Sequence, residues 1–399
     1  MSLRSTKVAI AGAGIGGLTA AIALRQRGCE VVVVEQAPQL GEVGAGVQMS
    51  PNAVKVLRAI GVEPLIRDLA CEPLAFTGRD WRSGRVLYRT PIKGTYERLY
   101  GAGYYHVHRA DLHHALTERL GDADLRLGQR VAGIEQDQHA ASLKLESGET
   151  IEADVIIGAD GIHSAIRRSI LGDEKPRFTG NICWRGMVPV DALPKGHVEL
   201  ASSNWLGPKG HVVHYYVKGG AMVNFVAVYE TDQWTEESWS TPSSVDEILK
   251  TYAGWNQELL TTFSKAEGCF KWALYDRDPL GRWSQGRVTL LGDAAHPMLP
   301  FLAQGAAMAI EDGYELAGTI GSVHAGAGIE AALVAYERQR IPRTSRVQLG
   351  ARARGATMHL RSPWARMKRN FGFMLQGLRT PESTTHRAEW IFGYDATTR

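Results

Sequence analysis

Lys7-Val8-Ala9-Ile10-Ala11-Gly12-Ala13-Gly14-Ile15-Gly16-Gly17 is the stretch that decides the fold. Its first five residues form an apolar run of the sort buried on both faces of a parallel sheet. Gly12, Gly14 and Gly17 then make a G-x-G-x-x-G turn, and an alanine- and leucine-rich helical pattern runs over 15–27 and ends at Gly28. Val31-Val32-Val33-Val34 is a second buried strand, closing at Glu35 and Gln36. The first glycine permits the tight turn, the second lets the backbone approach a pyrophosphate, and the third allows close helix–strand packing. The helix N-terminus then faces the phosphates. Glu35, about 23 residues beyond Gly12, stands where a carboxylate accepts hydrogen bonds from an adenosine ribose, with Gln36 beside it. Strand, glycines, helix, strand and acid in this order point to a dinucleotide. A ligand-free glycine turn explains only one of those five features.

Working outward, 399 residues suit two closely associated domains or one large α/β unit with an inserted sheet. A hydrophobic share of 44% and a charged share of 22% are ordinary for a globular enzyme. The net charge of +3 is too weak for a nucleic-acid partner, though it favours anionic small molecules if gathered at one cleft. Cys29, Cys71, Cys183 and Cys269 form no CxxC pair, which argues against a metal site and fits a reducing, cytoplasmic compartment. The apolar run after Arg4 and Lys7 is broken by glycines, so it is no signal peptide, and no run approaches the ~20 residues needed to span a membrane.

Ser50-Pro51-Asn52 reads as a helix start, with Ser50 as capping side chain and proline in the first turn. A strand at 104–107 leads into the helix carrying His108-Arg109-Ala110-Asp111-Leu112, and 125–160 alternates as a β-meander broken at Ser147-Gly148. Residues 177–280, rich in Trp, Tyr, Val and Gly with alternation over 211–217 and 222–229, predict an inserted, mostly antiparallel sheet. A strand at 288–291, a helix over 304–321 and a basic helical tail complete the chain. Gly326-Ala327-Gly328-Ile329 follows a helix and polar loop, so it reads as an interhelical turn and not as a second nucleotide unit. In the basic stretch 361–369, which includes Trp364, helical amphipathicity predicts packing against the core.

Two later motifs choose between dinucleotides. Ile157-Gly158-Ala159-Asp160-Gly161 and Leu291-Gly292-Asp293-Ala294-Ala295-His296-Pro297 each put Gly and Asp at the end of a buried strand, where the loops of an α/β sheet meet ligands. Asp293 is positioned for a ribityl hydroxyl, which only a flavin offers. A lone Gly-Asp is an ordinary turn or cap; two in register with the glycine turn select FAD. The helix beginning Gln304-Gly305-Ala306 presents free N–H groups able to stabilise negative charge on a reduced flavin.

These motifs, together with the His108–Leu112 segment, resemble the single-component FAD-dependent aromatic hydroxylases that act on salicylate, 3-hydroxybenzoate and 6-hydroxynicotinate. The resemblance implies an α/β fold: a Rossmann-type FAD-binding domain, an inserted mostly antiparallel β-sheet substrate domain and a helical C-terminal region. It divides the chain into FAD-binding parts at 1–72, 103–176 and 281–345, substrate-domain parts at 73–102 and 177–280, and the C-terminal helices at 346–399. It implies a cycle in which NADH or NADPH reduces FAD and O2 then gives a flavin C4a-hydroperoxide. That species hydroxylates a small hydroxylated aromatic or N-heteroaromatic acid. The state implied is monomer or homodimer.

By the same resemblance, Arg109 lies on the flavin side, Gln48 in Gly44-Ala45-Gly46-Val47-Gln48 falls where the chain approaches the flavin, and Val131 brackets the adenine. His211 and Tyr215, on one face of their strand, are the catalytic candidates, with Val47, Pro300 and Phe301 lining the substrate. His296 belongs to the family's Gly-Asp-Ala-Ala-His signature, in a structural or flavin-side role. Trp184 and Arg185 stand either at the surface or within reach of an anionic substrate or coenzyme. Phe301 departs from the pattern: the hydroxynicotinate and salicylate enzymes carry histidine there, and 3-hydroxybenzoate 6-hydroxylase has Gln-Tyr for Pro300-Phe301. Phenylalanine can stack on a ring but cannot act as a base. The competing reading is an FAD-dependent reductase that acts on a small ring without oxygen insertion.

Overall fold

The run Lys7–Ala11 becomes the central strand of a five-stranded parallel sheet, in the order Val288–Leu290, Val155–Gly158, Lys7–Ala11, Glu30–Val34, Asp124–Arg126. The computed structural model describes residues 5–41, 45–232, 241–323, 328–377 and 388–398, so Gly44, Gly326 and Ala327 lie outside the described residues. From the central strand the chain moves first to one side of the sheet and later to the other. The order therefore reverses between Lys7–Ala11 and Val155–Gly158, and a crevice opens at the carboxyl ends of these strands. Helix Ile15–Gln26 packs tightly on helix Gly305–Gly321 through small residues. A Cβ on Gly313 would stand 2.7 Å from the Ala20 nitrogen. The meander forms its own small sheet from Val131–Gln136, Ala141–Leu145 and Thr150–Ala153.

The second sheet has eight strands, in the order Thr241–Ser243, Cys269–Asp276, Arg177–Pro189, Met222–Glu230, Gly210–Val217, Ser202–Gly207, Ala75–Asp80, Val86–Pro91. Its pairs are antiparallel except for Ser202–Gly207 with Ala75–Asp80. Side chains alternate between its faces. Val212, Trp184, Trp205, Phe225 and Ala227 build an apolar core with Ile248, Leu259 and Phe263 of helices Val245–Thr251 and Gln257–Ser264. Trp184 is fully buried there, its Nε1 donating to Ser243 Oγ at 3.1 Å, so it reaches neither the surface nor a ligand. Arg185, its neighbour, points from the opposite face.

Two further expectations need correction, and one expected boundary lies within a helix. Ser50 does precede helix Pro51–Ala59, but its hydroxyl gives no side-chain cap: it bonds Asn52 Oδ1 at 2.7 Å and receives Gln304 Nε2 at 3.0 Å. Both amides are buried and would otherwise lack these partners. The boundary at 345/346 falls inside one continuous helix, Ile329–Met358, whose Tyr336, Arg340, Val347 and Ala351 are buried on both sides of that point. Lastly, the stretch 361–369 turns its apolar side outward, with Trp364 76% exposed, and only further along helix Pro363–Gly377 does Phe373 pack on Tyr88. The surface beneath it presents backbone carbonyls, and Arg369 reaches in to those of Met358 and Leu206 while Asn370 donates to Asp80. No helix among the described residues is long and apolar enough to cross a membrane.

Candidate active site

Four strand ends meet at the crevice. Gly12 has φ +105°, and a Cβ there would lie 2.4 Å from the Ala159 carbonyl oxygen. At Gly17 a Cβ would come within 2.0 Å of the Gly12 carbonyl oxygen. Gly14 differs: nothing lies within 4 Å of its Cβ position, so this side of the turn is open. Glu35 accepts the N–H groups of Ala13 at 2.8 Å and Ala37 at 2.9 Å, which ties the glycine turn to the next strand. The loop leading to Val131 is held beside Gln36, because Gly128 and Gln129 donate to the carbonyls of Ala37 and Glu35.

The two Gly-Asp motifs behave differently. Asp160 spends its carboxylate on its own loop, accepting Ser164 Oγ at 2.5 Å and the Ala165 amide at 2.7 Å. It frames the crevice through its backbone, next to Gly12. Asp293 lies deep within the protein mass yet keeps an exposed carboxylate, the signature of a group at the floor of a groove. Burial pushes its pKa up, against the pull of His296 and Arg109. Its turn is anchored from behind by Asp312, which accepts the Gly292 amide at 3.0 Å and His296 Nε2 at 2.5 Å. His296 also packs on Trp283, so it holds the turn in place. Ala303, at φ +53°, swings the chain from the short helix Pro300–Leu302 into helix Gly305–Gly321. The amides of Gly305 and Ala306 find no partner among the described residues.

The other wall of the site is the remaining face of the eight-stranded sheet. Cross-strand register sets Tyr215 opposite Asn224, Val213 opposite Val226, and Val226 opposite Arg185. Tyr215 packs on His106, ring centroids 4.3 Å apart. Asn224 accepts the Gly46 amide at 2.8 Å, and Tyr104 donates to Gln48 at 2.6 Å. Strand Gly46–Met49, which carries Val47, is thereby pinned to the sheet. A Cβ on Gly46 would stand 2.6 Å from the Tyr215 ring. Arg185 lies over the Trp272 ring at 4.3 Å, and Arg109 feels both Arg185 and Asp293. Burial lowers the Arg109 pKa to about 10, so the guanidinium stays charged at neutral pH. Three buried polar atoms here have no partner among the described residues: Arg185 Nε, His106 Nε2 and Asn224 Nδ2. Such atoms are costly to bury unless something bonds them.

At the far end of this face His211 meets Phe301, centroids 5.3 Å apart, and its Nδ1 lies 2.7 Å from His359 Nε2. Burial holds the His211 ring well below the usual histidine pKa, and His359 and Arg354 lower it further. His211, Tyr215 and Arg185 thus share one face, whereas Glu35, Gln36 and Val131 gather at the other end of the crevice. His106, Asn224 and His359 escaped the sequence reading. Alternation in Tyr104-Tyr105-His106 and in Met222-Val223-Asn224 carried a signal for the first two. Nothing local marks His359.

A groove with an open glycine turn at one end, an exposed carboxylate on its floor and unbonded helix amides fits an extended dinucleotide such as FAD. Residues 5–350 match the family described as FAD binding domain. A 3-amino-4-hydroxybenzoate 2-monooxygenase of Streptomyces platensis is 39% identical over 99% of this chain and 98% of its own. The chain belongs to the FAD-dependent aromatic-ring monooxygenases. A second relative of this flavoprotein, a 6-hydroxynicotinate 3-monooxygenase of Pseudomonas fluorescens, is 37% identical over 86% of this chain and 90% of its own. Among solved structures, a salicylate hydroxylase substrate complex superposes with a TM-score of 0.84 at 29% identity, covering 99% of this chain and 97% of that one. As a member of this family the flavoprotein uses FAD as cofactor and NAD(P)H as reductant.

Proposed function

We propose that the protein hydroxylates the ring of a small aromatic acid that bears a hydroxyl group, with His211 at the hydroxyl and Arg185 at the carboxylate. One observation carries this reading: an imidazole and a guanidinium with an unpartnered nitrogen share the sheet face that looks onto the crevice. His211 and Tyr215 are four residues apart on an extended strand, about 13 Å along the chain, a span that suits one substituted ring between their side chains. Bound FAD supplies hydride acceptance and oxygen activation. The residues do the rest. Neutral His211 takes the hydroxyl proton and makes the ring electron-rich. Tyr215, whose pKa burial raises, stays protonated and donates a hydrogen bond. Phe301 packs edge to face with His211, and the apolar residues around it, Leu299 and Trp272, exclude water. Asp293, Arg109, Gly12, Gly14, Glu35 and the Gly305–Ala306 amides would hold the dinucleotide.

The test is NADH and NADPH consumption over a panel of hydroxybenzoates, aminohydroxybenzoates and hydroxypyridine acids under labelled oxygen. We expect substrate-stimulated consumption and one labelled oxygen atom in the product. Hydrogen peroxide alone from every panel member would overturn the reading, and reduced product without label would favour a reductase. Arg185→Met is expected to raise KM for the carboxylated substrate roughly 10–100-fold with FAD content unchanged, the usual worth of one charge-assisted bond. An unchanged KM would remove Arg185 from the carboxylate site.

A further inference from the structure

We propose that His211, His359 and Glu230 form a proton relay that carries the substrate's hydroxyl proton to a surface cleft behind Phe301. The proposal rests on the function proposed above. Its observations are geometric. His211 Nδ1 and His359 Nε2 are 2.7 Å apart, and His359 Nδ1 lies 3.6 Å from Glu230 Oε1. Both rings are nearly sealed, His211 3% and His359 4% exposed, whereas the Glu230 side chain is 24% exposed. Glu230 is in turn held by Arg361 at 2.8 Å. The outer end opens into a cleft of about 310 Å³ whose walls include Glu230, His359, Phe301, Arg177, Asp276 and Arg352. Buried ring nitrogens at 2.7 Å share one proton, since two imidazoles in contact cannot both donate to the same bond. The pair thus runs from the sheet face towards solvent.

The transfer balances. The substrate O–H bond breaks as its proton joins His211 Nε2. The Nδ1 proton of His211 passes to His359 Nε2, and the Nδ1 proton of His359 leaves by way of a water between it and Glu230 to solvent in the cleft, 3.6 Å being too long for a direct hydrogen bond. One proton departs and one phenolate remains, with no change in oxidation state. His359 touches no substrate atom in this scheme and is a positioning residue. It arrives from the end of helix Ile329–Met358, its ring centroid 5.4 Å from that of Phe301. The charged groups around the pair are Arg354 from the same helix, Glu230 and Arg361 beyond His359, and Arg177, Asp276 and Arg352 across the cleft.

The experiment uses His359→Phe and Glu230→Gln in the FAD-loaded enzyme, with 3-amino-4-hydroxybenzoate as probe. FAD content, KM, kcat between pH 6 and 9, and rescue by added imidazole are measured. We expect His359→Phe to lower kcat roughly 10–100-fold at neutral pH, with KM and FAD content kept. The loss should shrink as pH rises and as imidazole enters the cleft, and Glu230→Gln should show a smaller version of it. Wild-type kcat in His359→Phe would overturn the relay, as would a loss that neither pH nor imidazole relieves. If the wild-type enzyme turns the probe over, the proposed function stands whichever way the variants behave. If it shows no turnover with this probe or any panel member, that function fails, and the relay falls with it.

Discussion

Gly14→Val is expected to yield a folded protein that has lost FAD, whereas Gly17→Val should fail to fold stably at all. The two glycines are three residues apart in one turn, yet their surroundings are opposite. Gly14 has φ −71° and ψ 178°, a conformation open to any residue, and nothing in the protein lies within 4 Å of its Cβ position. Only a ligand occupying that side of the turn would object to a side chain. A fall in FAD affinity of about 100-fold or more, some 2.7 kcal/mol, is expected, with the melting temperature of the apoprotein nearly unchanged. At Gly17 the obstacle is backbone, the Gly12 carbonyl oxygen at 2.0 Å, and the chain cannot yield without opening the strand–helix packing. Overpacking of that kind costs about 1–3 kcal/mol or more, so apoprotein stability and FAD content should fall together. Flavin absorbance and apoprotein melting curves for the two variants separate the cases. Full FAD occupancy in Gly14→Val would mean that the cofactor does not run past this turn.

The second large effect concerns Arg340. This fully buried guanidinium bonds Asp312 Oδ1 at 2.7 Å and Glu311 Oε2 at 2.7 Å, with Glu315 at 3.5 Å. Glu311 also meets Arg343 and Asn52, and Asp312 holds the Gly292–His296 turn beneath Asp293. Arg340→Met removes the cation and strands buried carboxylates, which typically costs about 3–5 kcal/mol. A drop in melting temperature of roughly 5 °C is expected, with FAD loss because the Asp293 turn loses its anchor. The pH dependence has a definite sign. In the wild type, neighbouring cations hold Asp312 at about 2 despite burial, and Glu311 is likewise depressed. The Asp312 contribution is therefore complete above the unfolded value near ~4 and is lost as pH falls towards 2. Without Arg340, burial dominates and raises these carboxylates, so each now stabilises only while protonated and its contribution fades as pH rises. The gap between wild type and variant should be wider at pH 8 than at pH 5. An equal gap at both would mean that the carboxylates remain fully compensated by Arg343 and His296.

The parts legible in the sequence were those with a local rule behind them. Period-two alternation puts His211 and Tyr215 on one face, and the glycine spacing locates the turn after Lys7–Ala11. The same rule, applied to Trp184-Arg185, separates a core residue from a site residue, although adjacency in the chain had made them look alike. Asp160 is expected at the cofactor because its motif is shared with Asp293. Only the hydrogen bonds to Ser164 and Ala165 reveal a carboxylate already committed to its own loop. For the stretch 361–369 amphipathicity names two faces without saying which one meets the protein, and Trp364 faces outward. His359 had no local rule at all. It is 148 residues from His211, and the contact depends on how a long helix lies across the sheet.

That helix, Ile329–Met358, is in effect a measuring rod. About three turns into it Arg340 is locked into the base of the dinucleotide fold, and just past its far end His359 is presented to the substrate-facing sheet. The two lie about 28 Å apart along the axis at the usual rise per residue. A single inserted residue would lengthen the rod by only about 1.5 Å but turn its tip by about 100°, carrying His359 away from His211. Point substitutions along the exposed side of this segment should drift freely while its length stays fixed. Conserved spacing, more than conserved identity, is the trace such a rod leaves in its descendants.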